Sequence, residues 1–173
     1  HPGVMAAVVN YEASKPSFDP KQTLLLKIPT KTIVTILQNG SLSPDALKIL
    51  IKTFVSANQL EVLRAVDKTQ IIEFITDKII TPQQAVKAFP DDEDINIAVY
   101  SLDKSALKDA SPKTIAALIG KKIIPPEEAI ELSSTDIVIS AASEQKPEVL
   151  KQFDDIKIVA FIQANVVKPE KAL

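Results

Sequence analysis

Cysteine is absent from the 173-residue chain, which excludes disulfides, thiolate metal sites and cysteine nucleophiles. Histidine occurs once, as His1. Nucleophilic triads and most general-base sites need an internal imidazole, so they are excluded as well. A histidine in first position is read as a boundary feature rather than a ligand, because termini are usually unanchored. With three glycines, Gly3, Gly40 and Gly120, no glycine-rich phosphate loop and no G-x-G-x-x-G fingerprint exists. Tryptophan is missing and aromatics make up 5%, so the core must be built from Ile, Leu, Val and Ala. Arg64 is the sole arginine, and the net charge is −2. Nucleic-acid readers usually cluster Arg and Lys on one face, and nothing of that kind is present. No apolar run approaches the ~18 residues of a membrane span. No catalytic, cofactor or metal residue, and no small-molecule substrate, is expected. The lack of cysteine suits either a reducing or an oxidising compartment, so the sequence assigns no location.

Proline, by contrast, occurs 12 times, and its placement exposes the organisation of the chain. The stretch Lys113 to Ile130, KTIAALIGKKIIPPEEAI, is one of four copies. The others start at Lys31, Thr69 and Ile156, and their prolines are Pro44, Pro82, Pro126 and Pro169, spaced 38, 44 and 43 residues. A period of about 40 residues is the signature of stacked repeats. The period resembles that of armadillo and HEAT solenoids, although no consensus motif of either family occurs.

Each copy has the same internal grammar. A Leu, an apolar residue three further on and an Ile five beyond that recur as Leu25/Ile28/Ile33, Leu63/Val66/Ile71, Leu107/Ala110/Ile115 and Leu150/Phe153/Ile158. The following segment places apolar residues at i, i+1, i+3 and i+4, as in Ile115, Ala116, Leu118 and Ile119. That is helical periodicity, and it outranks the β-branched composition. Four residues before the first Ile stand Pro29, Asp67, Ser111 and Asp154, of which three are good N-caps. The stop position holds Gly40, Lys78, Lys122 and Asn165; Gly and Asn tolerate a left-handed closing residue better than Lys does. After the stop come an apolar pair or, in the first copy, the single Leu42, then the proline and a second helix, whose start at Thr81 to Gln84 suits a capping box. The first copy runs on unbroken through DALKILIKTFVS, whereas later copies insert a turn at Phe89–Asp94 and Ser133–Asp136. A third helix (around Ile95–Leu102 and Ile137–Ser143) and a short Leu-bearing helix (Ser105–Asp109 and Pro147–Gln152) complete the unit.

The expected fold is all-α: stacked short helices in an α-solenoid-like array of about 43 residues per unit. Residues 1–18 form an irregular N-terminal arm or leader, in which Val4–Val9 is either a strand or a short helix. Residues 19–173 form a single helical-repeat domain with units at about 29–66, 67–110 and 111–153 and a partial unit at 154–173. Asp19 and Pro20 read as the N-cap and first position of an initial helix. Ile71, Ile75, Ile115, Ile119, Ile158 and Ile162 are expected to be buried.

The dense acidic run Asp91–Asp94 lacks the alternating ligands and glycine of a calcium loop and reads as a turn with acids at a helix N-terminus. Lys121, Lys122, Lys168 and Lys171 are interleaved with acids and read as solvated faces. The expected function is a non-enzymatic protein–protein interaction or scaffolding module, acting on a protein partner or by self-association. The alternative is a structural or exported subunit of a larger assembly, such as a secretion apparatus, a virion or a surface layer. Candidate contact residues are Phe161, Val166 and Val167, in core-type slots of a unit with little after them, and Tyr100. Tyr11 and Tyr100 are the two tyrosines, a residue type enriched at binding hot spots.

Overall fold

In the computed structural model, which describes residues 2–14, 24–40 and 42–172, every regular element is helical. Ten α-helices alternate with short 3-10 turns, and no strand occurs among the described residues. The expected start at Asp19 and Pro20 lies outside the described residues.

Capping chemistry explains where the helices begin. Asp67, Ser111 and Asp154 accept backbone N–H groups through their side chains, from Thr69, Thr114 and Lys157, at the starts of α4 (Lys68–Thr76), α7 (Pro112–Gly120) and α10 (Asp155–Gln163). Each of these bonds satisfies a donor with no intrahelical partner. Pro29, at the start of α2 (Thr30–Gln38), makes no such bond. Thr81 and Gln84 form the reciprocal pair of a capping box at α5 (Pro82–Ala88), Thr81 N donating to Gln84 Oε1 at 2.9 Å and Gln84 N to Thr81 Oγ1 at 3.2 Å.

The helix ends are equally specific. Gly40, Lys78, Lys122 and Asn165 all have φ between +57° and +62°. After α7, Lys122 N donates to Ile119 O at 2.9 Å and Ile123 N to Leu118 O at 2.9 Å, the double bond of a Schellman closure. The same pair of bonds closes α4 (Lys78 N to Ile75 O, Ile79 N to Phe74 O) and α10 (Asn165 N to Ile162 O, Val166 N to Phe161 O). Asn58, with φ +59°, closes α3 (Pro44–Ser56) in the same way. The left-handed conformation strains any residue with a Cβ. Lys122→Gly is therefore expected to stabilise the chain by roughly 0.5–1 kcal/mol, seen as a rise in Tm of about 1–4 °C; an unchanged or lower Tm would contradict the strain.

The chain forms two compact units, His1–Ala88 and Phe89–Leu173, where the sequence predicts one domain over 19–173. In the first, α3 (Pro44–Ser56) runs unbroken and packs on α1 (Pro2–Ala13) and on the 3-10 turn Leu60–Ala65, while α2 packs on α1 and on that same turn. The core comprises Leu25, Ile33, Ile36, Leu50, Ile51, Phe54, Leu63 and Ile71, all fully buried. The expected irregular arm is corrected here: residues 2–13 are helical, and Ala6 and Val9 are buried against the unit. An Ala- and Val-rich segment gains more from packing on α2 and α3 than from solvation.

In the second unit, α7 packs on α9 (Asp136–Gln145), α8 (Pro126–Leu132) on both of them, and α6 (Glu93–Leu102) on α7. The separation of α5 from α6 and of α8 from α9 follows the inserted turns. Asn96, fully buried on α6, holds the first of these, its Nδ2 donating to Phe89 O at 2.9 Å and to Asp92 O at 2.6 Å. The short Leu-bearing segments are 3-10 turns, Lys104–Asp109 and Pro147–Gln152, each carrying one fully or nearly fully buried Leu.

Candidate functional site

Burial follows the sequence expectation in α4 and α7 and departs from it in α10. Ile71, Ile75, Ile115 and Ile119 are buried. Ile158 and Ile162, at the same slots of α10, are only half-buried, and no residue of α10 is fully buried. The reason is a missing neighbour: α7 lies under α9, and no described helix covers α10 in the corresponding way.

Three of the four candidate contact residues lie in one small cluster around Ile139, Leu150 and Val167. Phe153, Ile158, Phe161, Val166 and Ala172 pack against it half-buried. Phe161 meets Phe153 edge-on, with ring centroids 5.2 Å apart at 88°, the T-shaped geometry the ring quadrupole favours. Val167 is 3% exposed. Little of it is therefore accessible, whereas Phe161 and Val166 keep part of their surface accessible.

On the outer side of α10 stand Val159, which fills the i+1 slot of the pattern, and Ile156, which the pattern did not single out. Ile156 is 83% exposed and Val159 51%. A sequence signal for Ile156 exists: the equivalent positions in the other copies are Lys31, Thr69 and Lys113, all polar. A helix that is apolar on every side is ordinarily a buried helix.

Tyr100 lies apart from this cluster. From α6 its Oη donates to Glu128 Oε2 at 2.7 Å, and Lys104 Nζ donates to both Glu128 oxygens at 2.9 and 3.0 Å. The ammonium sits 5.3 Å from the tyrosine ring centroid, within cation–π range. Burial, and then the Glu128 carboxylate, push the Tyr100 hydroxyl up, while Tyr100 and Lys104 hold Glu128 below its usual range. An open groove of about 380 Å³ beside it is lined by Lys104, Ser105, Lys108, Glu128, Glu131 and Leu132. Ser105 Oγ is already committed to Asp103 Oδ1 at 2.7 Å. The acidic run is likewise employed structurally: Asp92 caps α6 by accepting from Ile95 N at 3.1 Å, and Glu93 pairs with Lys121.

Several such lysine–carboxylate pairs ring the second unit. Lys146 holds the Glu127 carboxyl below its ordinary value of 4.5, and Lys168 does the same for Glu144. A carboxyl lowered in the folded state contributes stability that is complete above its unfolded value and is lost as pH falls. With Glu127, Glu128 and Glu144 all shifted downward, Tm is expected to decline as pH drops below about 4.5, and less steeply in Glu128→Gln. An acid limb identical in the variant would show that this pair contributes nothing. All are in contact with solvent, so added salt is expected to shrink the effect.

Comparison with protein-family models, with curated proteins and with solved structures gave no match for this chain. No helix among the described residues is long and apolar enough to cross a membrane.

Proposed function

We propose that the chain is a non-enzymatic protein–protein interaction or scaffolding module built from stacked helical units of about 43 residues. The observation that carries the reading is α10, which carries apolar residues on both of its faces, half-buried on one and exposing Ile156 and Val159 on the other. Exposed apolar surface of this kind marks contact sites. The stacked-unit part rests on the recurrence of the same caps and left-handed closures around α4, α7 and α10. The alternative, a structural subunit of a larger assembly, is favoured by a second observation: α1 also exposes apolar residues, Val4, Val8 and Tyr11.

The test is a photo-crosslinking side chain placed at position 156 or 159, with position 61 as a control on an unrelated exposed surface, in the cell that makes the protein. A discrete protein adduct at 156 and 159, absent at 61, supports a binding module. No protein adduct at either position, with the chain present and folded, overturns it.

A further inference from the structure

α7 and α10 occupy the same place in successive copies, and α9 shows what covers such a helix. Ile115, Leu118 and Ile119 of α7 are fully buried, and α9, which buries Val138, Ile139 and Ala142, packs across α7 and α8. Two polar contacts fix the C-terminal end of α9. Gln145 Nε2 donates to Ile119 O at 2.6 Å, and Lys146, the residue after the helix, pairs with Glu127, the second residue of α8. The same receiving surface recurs one copy further on. Ile158, Phe161 and Ile162 stand at the α10 positions of Ile115, Leu118 and Ile119, and Glu170 follows Pro169 as Glu127 follows Pro126. Here the three apolar side chains are only half-buried. Among the described residues, Ile162 O accepts from the backbone of Ala164 and Asn165 and from no side chain. Glu170 is exposed and forms no ion pair among them, because Lys168 and Lys171 on either side are drawn to Glu144, at 2.9 and 3.8 Å.

Resting on the reading of the chain as a protein-binding module, we propose that the half-buried face of α10, together with Glu170, receives one amphipathic helix of a partner protein with the chemistry of α9. That chemistry is specific. Apolar side chains of Val, Ile or Ala size fall at i, i+1 and i+4, as Val138, Ile139 and Ala142 do, and a Gln–Lys pair falls at i+7 and i+8, as Gln145 and Lys146 do. The apolar stripe completes the burial of Ile158, Phe161 and Ile162, the mode in which an amphipathic helix lies in an apolar groove. The amide supplies the side-chain donor that Ile162 O lacks, and the lysine meets the Glu170 carboxylate. The two polar contacts set register and direction, since a reversed helix would bring its acidic N-terminal end to Glu170. Ile156 and Val159 border this surface and are not part of it: their α7 equivalents, Lys113 and Ala116, stay exposed and half-buried with α9 in place. A single helix covers less area than a stable complex needs, so the contact is weak and reversible.

The probe is a peptide of residues 134–147, which carries α9 and its flanks, blocked at both ends and titrated into the full chain labelled with nitrogen-15. Amide signals of residues 158–162 and of Glu170 are expected to shift saturably, and those of α7, already covered, to stay in place. An affinity of about 0.1–1 mM is expected, because so short a peptide must become helical as it binds. The Ile139→Asp peptide is expected not to bind. A charge exchange tests the register. Glu170 is exposed, so Glu170→Lys is expected to keep the parent's Tm while binding the peptide about two- to fivefold more weakly, the effect of one exposed ion pair. The Lys146→Glu peptide is expected to recover that loss on the Glu170→Lys chain and to bind the parent chain poorly. No saturation by roughly 5 mM peptide, shifts centred on α7, or an exchanged pair that binds no better than the mismatched ones overturns the proposal. Any of these outcomes, together with a protein adduct at position 156 or 159, removes the helical partner and leaves the binding module standing. The absence of any adduct removes both.

Discussion

Ile119→Ala is expected to cost roughly 2–4 kcal/mol of stability, the range for truncating a fully buried Ile, whereas Ile162→Ala is expected to cost well under half of that. The two residues occupy the same slot of α7 and α10 and are followed by the same closure, Lys122 N on Ile119 O and Asn165 N on Ile162 O. They differ in what lies on top. Ile119 is fully buried beneath α9, so its truncation leaves a void walled on every side. Ile162 is half-buried, so water reaches the space its side chain vacates and no closed cavity forms. Urea unfolding followed by far-UV circular dichroism, with the slope checked for constancy, measures both. Equal losses for the two variants would mean that α10 is covered in solution by something its own unit does not provide.

Phe54→Ala is expected to lose about 3–5 kcal/mol, the largest single effect in the first unit. Among the described residues Phe54 is the bulkiest fully buried side chain, and it sits where α3 ends. Its carbonyl accepts N–H groups from Ala57 at 3.1 Å and Gln59 at 3.0 Å, closing the helix around Asn58. Removing the ring opens a cavity beside that closure and the 3-10 turn Leu60–Ala65, on which α3 packs. Phe54→Leu retains most of the volume and is expected to lose much less. Denaturation of the two variants side by side checks the claim; a Phe54→Ala loss under about 1 kcal/mol would show that the site collapses without penalty.

The unbroken α3 illustrates how far a sequence pattern carries. Copy one lacks the turn that later copies insert, and the helix accordingly runs from Pro44 to Ser56 without interruption. Asp67, Ser111, Asp154 and the Thr81–Gln84 pair are legible for the same reason. A cap is a bond between a side chain and a backbone group two or three residues away, and residue type and spacing specify it. The left-handed closures at Lys78 and Lys122 were legible only as a stop position. Lysine carries no preference for that geometry, and the two Schellman bonds impose it. The closure at Asn58 has no counterpart in the repeated pattern, because it ends the fused helix that only copy one possesses.

The candidate surface was half legible. Phe161 and Val166 are found in the apolar cluster where the slot pattern places them, but Val167 faces inward onto Ile139 and Leu150, and Ile156, the most exposed of the large apolar residues, went unmarked. The residue pattern of α10 repeats that of α7, and no local rule distinguishes a slot that will be covered from one that will not.

The sequence by itself therefore determined the helical character of the chain, the starts and stops of its helices, and the slots that hold apolar residues. All of these follow from backbone conformations and hydrogen bonds that close within a few residues. The tertiary structure decided the rest: that residues 2–13 join a core as α1, that α7 lies under α9 while α10 keeps an open face, and that Ile119 is sealed while Ile162 is not. Burial is a property of neighbours distant in sequence, and identical local patterns acquire different surroundings once the chain has packed.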